Sequence, residues 1–195
     1  MINTLRSLNW FIRAFLVLLV FLFAPLSLSE DAKKAEVSRD WMVIFRDNLQ
    51  HNLQFWIDHA IDHEQGGLFG RLDREGRPVP PGDKSIVLIS RTMWSFAEAY
   101  RRYPDPAYRR MAAECLTFLR EKMWDRERGG YYFMVSREGH VIDSTKQLNP
   151  MSYVMEGLAQ YALAFNDAGA RREALDLFEA IDKHAHDNEQ GGYRI

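Results

Sequence analysis

Three short stretches decide the architecture: Asp62-His63-Glu64-Gln65-Gly66-Gly67-Leu68-Phe69, Asp125-Arg126-Glu127-Arg128-Gly129-Gly130-Tyr131-Tyr132, and Asp187-Asn188-Glu189-Gln190-Gly191-Gly192-Tyr193. They lie 63 and 62 residues apart. A six-residue match at a fixed period is the mark of a repeat architecture. The sequence between them repeats as well. Lys84 corresponds to Lys146, Arg91-Thr92-Met93-Trp94 to Tyr153-Val154-Met155-Glu156, and Gly76 to Gly139, each glycine in an Arg-Glu-Gly turn.

Helical periodicity fills each unit. Residues 38–59, 85–103, 107–123, 149–165 and 171–184 read as helices. Paired glycines end the helices at positive φ. Residues 68–72 and Val79 flank an Arg-Glu-Gly turn, which predicts a small hairpin. Residues 85–103 are apolar on most sides, so the helix should be buried all round. The stretch 107–123 is apolar along one stripe through Tyr108, Met111, Cys115, Phe118 and Leu119. Fully apolar helices that alternate with one-faced helices predict an inner and an outer layer, with every Gly-Gly hairpin at one end, forming a mouth.

The N-terminus has a different composition. Residues 1–29 hold two arginines, no acidic residue and 20 apolar residues. Ala14 to Ala24 is an unbroken apolar run closed by Pro25, and Ser27-Leu28-Ser29 offers small residues before Glu30. This is the layout of a secretory signal, with 30–195 as the exported domain, periplasmic or secreted. An uncleaved membrane anchor is the alternative; after cleavage no membrane contact is expected. The 23 basic and 27 acidic residues that remain give −4, no electrostatic reason to expect nucleic acid. A single cysteine excludes an internal disulfide and a cysteine zinc cage.

Paired carboxylates in Asp-x-Glu could serve a glycosidase. Three copies instead favour a structural turn, because a catalytic pair is needed once. His59 and His63, or His184 and His186, have a spacing that suits a metal. However, His59, Lys122 and His184 are repeat equivalents in the last turn of a helix, where a cation complements the helix dipole. No metal is expected, and His140 belongs to a solvated hairpin. Arg91 stands out as a charge in an apolar inner helix close to the mouth. Two readings are open: a donor fork for substrate oxygens, or a structural ion pair with Asp83 or Glu156. Trp94, one turn on, reads as core or as a sugar platform. Tyr153 occupies the Arg91 place on the next inner helix. Aromatics, hydroxyls and one cation at a mouth suit a sugar.

The stretch Leu88-Ile89-Ser90-Arg91-Thr92-Met93-Trp94-Ser95-Phe96, then Trp124 to Tyr132, then Lys146-Gln147 resembles the N-acylglucosamine 2-epimerase family, which includes cellobiose 2-epimerases and mannose isomerases. The resemblance runs over about residues 40–195. It implies an all-α fold, the (α/α)6 barrel, of which this chain would make about half with five helices. It implies cofactor-free proton transfer next to the carbonyl of a ring-opened small sugar or disaccharide. Arg91 matches the arginine that stabilises the oxygen gaining charge, and Trp94, Asn149 and Tyr153 fall at substrate-binding positions. Asn149 and Met151 depart from the family pattern, which has tyrosine and glutamine there. None of the six histidines matches the family's acid/base pair, so the expectation is an N-terminal portion, inactive alone, with exposed inner helices prone to associate. A barrel-type glycoside hydrolase or lyase, and a non-catalytic sugar- or partner-binding helical repeat, are the alternatives.

Overall fold

The computed structural model describes residues 40–193. The signal or anchor reading of residues 1–29 lies outside the described residues. The chain divides into two compact units, Met1–His51 and Asn52–Ile195. Residues 40–59 are helical (α1). In the first unit, residues 40–51 are all exposed.

In the second unit, β1 (Lys84–Ser85) leads into α2 (Ile86–Arg102). Helix α3 (Pro106–Phe118) follows and runs on into a π-helical turn, Leu119–Met123. Strands β2 (Met134–Val135) and β3 (Val141–Asp143) precede α4 (Leu148–Phe165) and α5 (Ala168–Ala185). Helices α2 and α4 pack side by side, with α3 against α2 and α5 against α4, giving the expected two layers. The layers meet in a core that includes Ile89, Met93, Phe96, Met111, Cys115, Leu119, Val154 and Leu158. Cys115 is a core residue with no exposure, and burial pushes its thiol pKa well up.

The sequence places the caps. Ser85 accepts from the Leu88 amide at the start of α2. Asp105 and Asp167 accept from Ala107 and Ala170 to start α3 and α5, and Pro106 takes the first helical position of α3. Asn166 ends α4 in the left-handed region, φ 53°. Helices α2 and α4 meet where Gly157 has no side chain: a Cβ there would lie 2.9 Å from the Ser90 carbonyl oxygen.

One expectation needs correcting. Helix α2 is not buried all round. Arg91, Trp94 and Ser95 face solvent, because α3 and α4 cover only part of its circumference. The small hairpin expected around the first Arg-Glu-Gly turn is present, with Leu72 bridged to Pro78, and β1, β2 and β3 form a separate antiparallel sheet, with Lys84 opposite Val135 and a register shift between Met134 and Val135. Strands of two or three residues are too short for period-two alternation to reveal them.

Candidate functional site

Each Asp-x-x-x-Gly-Gly turn is built the same way. In the first, Asp62 Oδ1 accepts from the Glu64 and Gln65 amides, so the turn closes on its own side chain. Lys84 Nζ reaches Asp62 Oδ2 at 3.0 Å and the Gly66 carbonyl at 2.6 Å. Lys84 and Asp62 are both fully buried. Arg137, from the β2–β3 hairpin of the next repeat, forks onto the same carboxylate through Nε (2.8 Å) and Nη2 (3.0 Å) and also reaches Glu64. Burial alone would raise the Asp62 carboxyl, but the hydrogen bonds from Arg137, Lys84 and the Gln65 amide hold it well below the usual carboxylate range.

The second turn repeats the pattern. Asp125 accepts from the Glu127 and Arg128 amides, and Lys146 Nζ donates to its Oδ2 at 3.0 Å. That lysine bond, then the Arg128 amide, lower the Asp125 carboxyl to about 2. The conspicuous acids of the motif are therefore structural, as triplication implied.

The pairs fix where α2 and α4 begin, and each helix carries a candidate residue seven positions beyond its lysine. Arg91 follows Lys84, and Tyr153 follows Lys146. The two meet: the Arg91 guanidinium carbon lies 5.1 Å from the centre of the Tyr153 ring. Around them opens a cleft of about 650 Å³, lined by Val87, Thr145, Lys146, Gln147, Asn149 and Pro150 among others. Among the described residues its walls hold a guanidinium, an ammonium, amides and hydroxyls, with no carboxylate and no histidine. Such a lining presents donors to an oxygen-rich ligand.

Of the sequence-derived candidates, the structure brings Arg91, Asn149 and Tyr153 to this cleft. The buried reading of Arg91 does not hold. The residue is exposed, and among the described residues it pairs with neither Asp83 nor Glu156. Trp94 is 43% exposed, which removes its core reading, yet it does not line the cleft.

Of the histidines, His59 serves the frame. His59 packs against Phe55 with the rings tilted by 45° and underlies Gly76, whose Cβ would sit 2.5 Å from the imidazole. Lys122, its repeat equivalent, underlies Gly139 in the same way. His140 is exposed. Sequence reasoning missed the Arg137 clamp and the cleft positions of Thr145 and Gln147. The recurring lysine behind each motif aspartate was the available signal for the ion pairs. Nothing in the spacing marked an arginine 75 residues away.

The sequence profile described as N-acylglucosamine 2-epimerase (GlcNAc 2-epimerase) matches residues 67–194. A cellobiose 2-epimerase of Bacteroides fragilis is 30% identical over 141 residues, 72% of this chain and 36% of that protein. The structure of a cellobiose 2-epimerase from Spirochaeta thermophila superposes with TM-score 0.72 at 27% identity, covering 80% of this chain and 39% of that one. A D-mannose isomerase superposes equally well, TM-score 0.72, at 20% identity, covering 77% and 38%; that likeness concerns the fold. This chain thus spans little more than a third of the length of the curated relatives it matches. The chain belongs to the N-acylglucosamine 2-epimerase family, and its helical layers are part of an (α/α)6 barrel.

Proposed function

We propose, starting from that family membership, that the protein is part of an exported sugar 2-epimerase or aldose–ketose isomerase acting on a small sugar or disaccharide. The observation that carries the reading is the Arg91–Tyr153 pair at the cleft. Arg91 has no acid partner among the described residues, so its donors remain available to an oxygen that gains charge as a proton leaves the neighbouring carbon. Tyr153 holds the guanidinium from below, and Asn149 contributes an amide to hydroxyl recognition. Proton removal and return need an acid and a base beside the reacting carbon. Among the described residues the cleft walls hold no histidine or carboxylate, and the Lys146 ammonium is engaged by Asp125, so we assign these steps to groups outside this 195-residue span, and the chain alone binds sugar without turning it over. The leader at residues 1–29 carries the domain out of the cytoplasm.

A glycosidase would require two free carboxyl groups flanking the ligand. Asp62 and Asp125 are held by lysines, and among the described residues the cleft walls offer no others. A described cleft lining without histidine or carboxylate favours, as second reading, a non-catalytic sugar-binding repeat.

Saturation-transfer NMR with cellobiose, mannose and N-acetylglucosamine in deuterated water tests this. The expected result is a bound-sugar signal that falls about tenfold in Arg91→Ala and survives Tyr153→Phe, with no deuterium entering the sugar. Deuterium incorporation by the chain alone would sink the division of labour. Binding untouched by Arg91→Ala would sink the site.

A further inference from the structure

The repeat supplies an internal control for a second site. In the first copy, the space between the first Gly-Gly turn and α3 is sealed by apolar side chains. Leu68 and Met111 are fully buried there, and Ile57 and Ile61 pack against the same core. Asp62 aligns with Asp125 and Asp105 with Asp167, which carries these four positions to Tyr131, Glu173, Arg120 and Trp124. Each apolar residue is exchanged for a charged one or for an aromatic with a polar end. In place of a sealed core stands an open cleft of about 250 Å³, lined by these four residues and Asp176.

Trp124 is 39% exposed and braced by Tyr131, with ring centres 5.0 Å apart and planes at 69°. Arg120 forks onto Glu173, Nε at 3.2 Å and Nη2 at 2.8 Å, so both charges arrive as one mixed donor–acceptor wall. Tyr131 is 3% exposed, yet among the described residues its hydroxyl takes part in no hydrogen bond. No fully enclosed side-chain polar atom among them lacks a partner, so this hydroxyl opens onto the cleft. Burial, then the Glu173 carboxylate, push its pKa up, which keeps it a neutral donor. Glu114, the first-copy counterpart of Asp176, accepts from the Gly67 amide at 2.8 Å. Asp176 is one methylene shorter; its exposed carboxylate has no partner among the described residues. The helix end that carries Arg120 is a π-helical turn, whereas its first-copy counterpart, residues 56–59, is α-helical. Such turns recur at functional sites.

We propose that this cleft between the end of α3 and α5 is a second saccharide-binding site, which takes one pyranose unit of a neutral oligosaccharide against Trp124 and shares its hydroxyls among Tyr131, Asp176 and the Arg120–Glu173 pair. A pyranose offers a face of C–H groups to the indole and hydroxyls that both donate and accept. Arg120 and Glu173 neutralise each other, and the remaining carboxylate suits two adjacent hydroxyls. The site shares no lining residue with the Arg91 cleft, so it stands or falls independently of the proton-transfer reading.

The test incorporates fluorinated tryptophan into the full chain and follows the fluorine resonance of Trp124, assigned with Trp124→Phe, during titration with cellohexaose and with mannohexaose. A single stacked sugar binds weakly, so a longer saccharide that can present any of its units is the proper probe. The expected result is a saturable shift in the millimolar range with at least one of them, unchanged in Arg91→Ala. The shift should need about fivefold or more saccharide in at least one of Asp176→Ala and Tyr131→Phe, both of which leave Trp124 in place. No shift with either saccharide would overturn the proposal. So would a shift that disappears in Arg91→Ala, a shift indifferent to both Asp176→Ala and Tyr131→Phe, or a shift with tetramethylammonium alone, which would name a cationic ligand instead.

Discussion

Asp62 and Asp125 are the same residue of the same turn, yet they live in different environments. Around Asp62 the lysine side chain has no exposure, the aspartate has none, and an arginine from the neighbouring hairpin caps the pair. Around Asp125 the lysine is 29% exposed and no arginine is present among the described residues. The difference teaches that the motif alone makes a turn, whereas the motif plus the next repeat makes a buried ion cluster. A surface ion pair contributes little; a desolvated one becomes indispensable because removing either charge strands the other.

The largest expected effect breaks that contrast directly. Lys84→Met should lower unfolding free energy by about 4 kcal/mol, since it leaves the Gly66 carbonyl and a buried carboxylate short of a donor. Lys146→Met should cost less, because Lys146 is 29% exposed and water can reach the pair even though the Asp125 side chain is only 7% exposed. Urea midpoints for the two variants check this, and equal losses would show that the arginine adds no burial penalty worth the name.

Glycine substitutions sharpen the same comparison with a smaller effect. Gly67, Gly130 and Gly192 share positive φ, 66°, 72° and 80°, so alanine is strained at each. Their surroundings differ. A Cβ at Gly67 would sit 2.6 Å from the Phe118 ring, one at Gly130 would meet the tip of the Met151 side chain at 2.6 Å, and one at Gly192 would meet nothing among the described residues within 4 Å. Gly67→Ala should therefore cost about 3 kcal/mol, Gly130→Ala about 2 and Gly192→Ala about 1 by thermal melting. A flat series would mean that backbone strain decides everything and packing nothing.

The same gradient explains what could be read before the fold was seen. Helix-forming segments, their order and the two layers follow from periodicity and from the 62-residue repeat, because both are properties of residues near one another in sequence. The ends moved by up to three residues: α5 begins at Ala168, where Asp167 caps it, and not at Arg171. Arg91 and Tyr153 emerged as a pair because repeat alignment puts them at one position. The exposure of Arg91 and Trp94 did not emerge, since an apolar helix is read as buried on every side unless its neighbours are known. Arg137 on Asp62 was invisible for a related reason: a hairpin arginine looks like any solvated charge until the sheet places it over the neighbouring turn.

Acid titration separates the two sites by the smallest effect. Both carboxyls are held below their ordinary value of 3.8, so the folded protein binds fewer protons than the unfolded chain. Their stabilisation is complete above that value and declines as pH falls. The decline ends near pH 2 for Asp125, where the folded carboxyl itself takes up a proton, and continues to lower pH for Asp62, which two cations hold more tightly. The stability penalty of Asp125→Asn, followed by urea midpoints from pH 5 downward, should thus fade out by about pH 2. That of Asp62→Asn should still be measurable there. If the Arg137 fork contributes nothing, the two penalties will disappear together.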